Sequence, residues 1–63
     1  MGKQRSKRKW IRDVIIPNGF RFVRSGKHDI YQDSKGRIVP IPHSRLLNDK
    51  MCVGVEKELN LTV

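Results

Sequence analysis

Alanine is absent from this 63-residue sequence, and cysteine, tryptophan and tyrosine occur once each. Without alanine, the hydrophobic 37% of the chain consists mostly of bulky side chains, so a thin core must be filled by a few large groups. A single cysteine, Cys52, cannot close an intramolecular disulfide. With two histidines beside it, the chain is also too poor in ligands for a structural zinc site. No apolar run approaches the roughly 18–20 residues of a membrane span, and the N-terminus lacks the apolar stretch of a signal peptide. These absences point to a cytoplasmic protein without a membrane partner. The length leaves room for one domain and excludes a cleft formed between two.

Acidic residues are scarce as well: six Asp and Glu stand against 14 Lys and Arg, for a net charge of +8. The imbalance is local. Lys3, Arg5, Lys7, Arg8, Lys9, Arg12, Arg21, Arg24 and Lys27 fall within residues 1–27, where the only acid is Asp13. From residue 28 onward bases and acids are equal in number, so the whole excess lies in the first 27 residues. Charge runs are often solvated tails, but the bases ahead of Asp13 are dense enough to hold a polyanion. Lys7, Arg8 and Lys9 are the candidate phosphate contacts. Such contacts give affinity rather than sequence choice and weaken with salt.

Residues 1–5 read as a flexible basic arm and 6–63 as a single domain. Trp10, Ile11, Val14 and Ile15 share one face of a helix that Ser6 caps and Pro17-Asn18-Gly19 stops. Three short strands are predicted next. In Phe20–Arg24, Phe20 and Phe22 are expected on one face. In His28–Gln32, His28 and Ile30 share one face while Asp29 and Tyr31 share the other. Arg37–Ile41 carries Pro40, which lacks a ladder donor and assigns that strand to an edge. Asp33–Gly36 is a four-residue hairpin loop with its glycine left-handed. A second helix follows from the N-cap Asn48, with Met51, Cys52, Val55 and Leu59 as its apolar stripe. The predicted class is therefore α+β, in the order α-β-β-β-α. It is a three-stranded antiparallel sheet with two helices on one face, of the double-stranded-RNA-binding-domain type.

Gly19-Phe20 after a short helix, Gly26-Lys27-His28 followed by Tyr31, Asp33 with Gly36-Arg37, and Val39-Pro40-Ile41-Pro42-His43 form an ordered set. In that order and spacing the chain resembles the HicA (YcfA-like) mRNA interferase toxins over roughly residues 7–61. The resemblance implies a dsRBD-like toxin domain that cleaves mRNA, needs no cofactor, and is held inactive by a HicB-type antitoxin. It assigns His28 as the catalytic histidine. Lys27 stands where that family usually has serine. The second helix lacks the family's usual Pro-Gly-Thr-Leu-Arg opening, which bears on the antitoxin-binding surface.

The chemistry fits those residues independently. RNA can be cut without a metal when its own 2′-hydroxyl attacks the adjacent phosphate. That reaction needs a base, a proton for the leaving 5′-oxygen, and positive charge on the phosphorane. Histidine suits the proton transfer, and Arg or Lys suits the phosphate. His28, flanked by Lys27 and preceded by Arg24, supplies the base and the charge. His43, in a predicted loop, is a candidate acid or RNA contact. Tyr31 is expected to pack under the helices and Cys52 to be core rather than nucleophile. Two other functions compete with an endoribonuclease. One is a dsRBD-like protein that binds RNA without cutting it. The other is a DNA-binding regulator, for which no helix-turn-helix pattern is present.

Overall fold

The computed structural model describes residues 3–63. The chain runs β1 (Gln4–Ser6), α1 (Lys7–Trp10), a π-helical continuation over Ile11–Ile15, β2 (Arg21–Ser25), β3 (Asp29–Gln32), β4 (Ile38–Ile41), β5 (Leu46–Asn48) and α2 (Asp49–Glu58). The α+β class and the helix, three strands, helix order are as expected, with two short strands added. Strands β2, β3 and β4 form an antiparallel meander with Pro40 on the edge strand. No helix among the described residues is long and apolar enough to cross a membrane.

The added strands correct the arm expected over residues 1–5. Met1 and Gly2 lie outside the described residues. From Gln4, however, the backbone pairs antiparallel with β5, Gln4 opposite Asn48 and Ser6 opposite Leu46. Arg5 donates to the carboxylates of Asp49 and Glu56 on α2, the second at 2.8 Å. Its excess charge is met by acids from the far end of the chain, and its backbone groups by a ladder, so the segment is fixed.

Ser6 caps the first helix as expected, its Oγ accepting from the Lys9 amide at 3.4 Å. Beyond Trp10 the helix widens, and the Ile16 amide donates to the Ile11 carbonyl five residues back, at 2.8 Å. Pro17 explains the change. It has no N–H for the α ladder, and in an α-helix its ring would strike the Asp13 carbonyl, a clash that the wider turn relieves. The helix ends where Gly19 turns left-handed (φ 91°), with Gly19 N donating to Ile16 O and Phe20 N to Ile15 O. α2, capped by Asn48 Oδ1 on the Lys50 amide at 2.8 Å, stops the same way. Asn60 takes φ 55°, its amide donates to Lys57 O, and the Leu61 amide donates to Glu56 O. Both are Schellman stops, which satisfy carbonyls and turn the next apolar residue inward. The residues so directed, Phe20 and Leu61, are both buried.

The two phenylalanines expected on one face of the strand differ in depth. Phe20 precedes β2 and is fully buried as the end-stop of the first helix, whereas Phe22 is 55% exposed. Phe22 stands edge-on to Tyr31, ring centroids 5.7 Å apart. The helix stop, rather than strand alternation, decides where Phe20 points.

Trp10, Val14 and Ile15 of the first helix, Cys52 of α2, and Val39 and Ile41 of β4 meet Phe20, Leu47 and Leu61 in one core. Each such side chain contributes about 1.5–3 kcal/mol by leaving water. Polar ties cross the same layer. Glu56 accepts from the Trp10 indole and from Arg5, both at 2.8 Å. Asn18 donates to Thr62 O at 2.9 Å and accepts from Thr62 N at 3.0 Å, fastening the C-terminal segment to the first helix. In the β3–β4 hairpin loop Gly36 is left-handed (φ 86°), and Asp33 accepts from the Lys35 and Arg37 amides and the Arg37 guanidinium. Burial alone would raise the Asp33 carboxyl, but these hydrogen bonds hold it below the usual carboxylate range. Cys52 is fully buried, and burial pushes its thiol up, as suits a core residue rather than a nucleophile.

Candidate nucleic-acid interface

The helices cover one face of the meander and leave the other open. Pairing registers sort the residues. Tyr31 lies opposite Val39 and Asp29 opposite Ile41, on the covered face. Ile30 lies opposite Pro40 and Gln32 opposite Ile38, on the open one. Arg21 pairs with Gln32 and so joins the open face. Arg24, three residues on, would fall on the covered face of a regular strand. The ladder is interrupted between Phe22 and Arg24, leaving Val23 without a cross-strand partner, and Arg24 pairs with Ile30. This one-residue bulge turns Arg24 to the same side as Arg21.

His28 immediately precedes β3, and alternation assigns it to the side of Ile30. It lines a groove of about 620 Å³ between the edge strand, at Ile38, Val39 and Pro40, and α2, at Met51, Val55 and Leu59. Its ring has no hydrogen-bond partner among the described residues. Lys27 is exposed in the turn beside it, and neither Lys27 nor Arg24 meets a carboxylate among the described residues. Pairing register thus puts Arg24 and Arg21 on the sheet face to which strand alternation assigns His28, with Lys27 in the turn beside it. Sequence reasoning missed Arg21 because its three-residue spacing from Arg24 argues against a shared face. A bulge carrying no glycine leaves no local signal.

Asp29, the next residue, is crowded where His28 is bare. Its carboxylate takes the Lys7 ammonium at 2.9 Å and the Ser25 hydroxyl at 2.9 Å, with His43 Nδ1 at 3.4 Å. The Lys7 hydrogen bond first, and then that from Ser25, hold Asp29 below the usual carboxylate range against the opposing effect of burial. This corrects the expectation for Lys7. Its side chain is only 16% exposed and faces a carboxylate, which neutralises the charge that a phosphate would need. Arg8 and Lys9 remain exposed and without a carboxylate partner among the described residues.

His43 makes two contacts that the sequence does not announce. Its Nε2 lies 2.7 Å from the Gly26 carbonyl, which can only accept, so this nitrogen carries the hydrogen. With Nδ1 toward Asp29, the ring stands on the Asp29 side of the strand and braces the turn from Ser25 to His28. Its side chain remains half exposed. No signal in the sequence links His43 to Gly26 and Asp29, because the hairpins bring them together.

Ten of the 14 basic side chains carry no ion pair among the described residues, whereas five of the six acids do. The unpaired charge is thus almost entirely positive, and the molecule presents a field suited to a polyanion. Among the described residues no three His, Cys, Asp or Glu side chains gather as a metal site would require. No protein-family model, curated protein or solved structure matches this chain.

Proposed function

We propose that the chain is a cytoplasmic RNA-cutting toxin of the HicA kind, a metal-independent mRNA interferase restrained by a HicB-type antitoxin. One observation carries this reading: the β2 bulge turns Arg24 onto the same sheet face as Arg21, the face to which alternation assigns the exposed His28. In the proposed reaction His28 accepts the proton of a 2′-hydroxyl. The 2′-oxygen forms a bond to the adjacent phosphorus as the bond to the 5′-oxygen breaks, and water supplies the leaving oxygen with its proton. Arg24, Arg21 and Lys27 bind the non-bridging oxygens, where charge builds in the transition state. The products are a 2′,3′-cyclic phosphate and a free 5′-hydroxyl. The nucleophile comes from the substrate, so the mechanism needs no cofactor.

The test is cleavage of a labelled single-stranded RNA. His28→Ala is expected to lose about 10²–10⁴-fold in rate, the range of a general base, with RNA affinity kept. Equal cutting by parent and variant would remove the assignment. A substrate with a single 2′-deoxyribose at the cut site must resist cleavage.

A second reading, binding without cleavage, is favoured by the His28 ring lacking a hydrogen-bonded neighbour to orient it. It predicts RNA that is retained in a salt-dependent manner and recovered intact.

A further inference from the structure

A separate cleft lies on the other side of the turn from Ser25 to His28. It encloses about 660 Å³ between the start of α1 and the β4–β5 connection, and Ser6, Arg8, His43, Ser44, Arg45 and Leu46 line it. Its two guanidinium groups, Arg8 and Arg45, are exposed and have no carboxylate partner among the described residues. Asp29, the nearby acid held by His43, already carries Lys7 and Ser25, so the wall is not negative. The Ser6 hydroxyl accepts from the Lys9 amide, which leaves its own hydrogen to donate.

Two walls of the cleft are tied together. The Lys7 amide donates to the Arg45 carbonyl at 2.9 Å, and Ser6 pairs with Leu46 in the β1–β5 ladder. Arg8 and Arg45 therefore project from two walls joined by backbone hydrogen bonds, an arrangement that needs little reordering to hold a tetrahedral oxyanion. His43 bonds to Gly26, so the cleft adjoins the turn that carries Lys27 and His28.

We propose that this cleft is a second phosphate site, taking a backbone phosphodiester of the same single-stranded RNA that crosses the open sheet face. The inference rests on the RNA-directed function proposed above and adds a path to it. The strand passes from Arg21 and Arg24, over Lys27, into the cleft between Arg8 and Arg45.

The experiment measures binding to the full chain by fluorescence anisotropy. The probes are an uncuttable 2′-O-methyl oligoribonucleotide of about 12 nucleotides, within the span a small domain covers, and a dinucleotide. The double variant Arg8→Ala/Arg45→Ala is expected to bind the long probe about tenfold more weakly. Its slope of log affinity against log salt should be shallower by about 1.4, two single-strand phosphate contacts. Dinucleotide binding and the melting temperature should not change. Lys35→Ala/Lys57→Ala removes the same charge away from the cleft and should have little effect on either probe.

If the parent binds the long probe and Arg8→Ala/Arg45→Ala binds it equally well, the cleft is not a site, while the proposed function stands. A loss no larger than that of Lys35→Ala/Lys57→Ala, or one equal for both probes, overturns it too. If inorganic phosphate shifts the Ser44 and Arg45 amide resonances and the long probe does not, the cleft holds free anions rather than a strand, which also overturns it. A parent chain that binds no RNA overturns both readings.

Discussion

His28 and Asp29 are neighbours in sequence and opposites in circumstance. Asp29 points to the covered face of the sheet, where an ammonium and a hydroxyl bond to it and an imidazole stands close by. His28 belongs to the open face and meets none among the described residues. The same contrast separates the two faces of β4 and marks the arginines of β2. On the covered side Val39 and Ile41 are sealed under the helices, whereas on the open side Ile38 is 54% exposed and Arg21 and Arg24 carry unpaired charge. Groups that hold the fold together have satisfied partners, and groups left without partners are the ones free to engage a ligand. In a chain with so thin a core, one sheet face must serve stability almost alone, and the other can be given over to binding.

That division can be broken most severely from the covered side. Phe20→Ala empties a fully buried site and removes the ring beneath the Arg37 guanidinium. It is expected to cost about 3–5 kcal/mol in urea denaturation, enough to unfold much of so small a domain. Next comes Asp29→Asn. The carboxyl of Asp29 is held below its ordinary value by Lys7 and Ser25. Its contribution is therefore present above about pH 3.9, the unfolded value, and is lost as the pH falls through the lower folded one. The parent melting temperature should thus fall on acidification below about pH 4. Asp29→Asn should start lower at neutral pH and show a shallower acid decline. Identical acid profiles would remove Asp29 from the account.

The open face should give smaller effects on stability and a visible effect on binding. Arg24→Ala is expected to leave unfolding within about 0.5 kcal/mol of the parent, as for a surface change without partners. Its salt slope for single-stranded RNA should decrease by about 0.7. A large stability loss would mean that Arg24 belongs with the structural groups. The smallest effect is expected from deleting Val23, the unpaired bulge residue. The regular ladder that results keeps Arg24 opposite Ile30, so RNA affinity should change less than twofold, roughly the scale of a few tenths of a kcal/mol. A tenfold loss would show that the bend made by the bulge matters, and not only the face to which it turns Arg24.

The features legible in the sequence are those ruled by short-range chemistry. Ser6 and Asn48 have cap side chains at the right places, Gly19 and Gly36 supply left-handed turns, and Pro40 marks an edge. The β1–β5 ribbon is not legible. Gln4-Arg5-Ser6 is polar, lacks alternation, and pairs with residues about forty positions away. Phe20 reads as a strand residue in the sequence, but its place depends on a helix stop rather than on the period of β2. Arg24, Lys27 and His28 can be found because they are close in sequence. Arg21 requires the bulge, and the bracing of the turn by His43 requires the folded hairpins.

The Asp33–Gly36 hairpin loop has a further consequence. The chain before it supplies Trp10, Val14, Ile15 and Phe20 to the core, and the chain after it supplies Val39, Ile41, Leu47, Cys52 and Leu61. Neither half owns a complete interior. They are joined without the loop by the β3–β4 ladder, the β1–β5 ribbon, the Arg5–Glu56 ion pair and the Asn18–Thr62 clasp. Severed between Ser34 and Lys35, the chain would leave each piece holding only part of one shared interior. The basic face would lie mainly on one of them, and the scaffold that makes it rigid on the other.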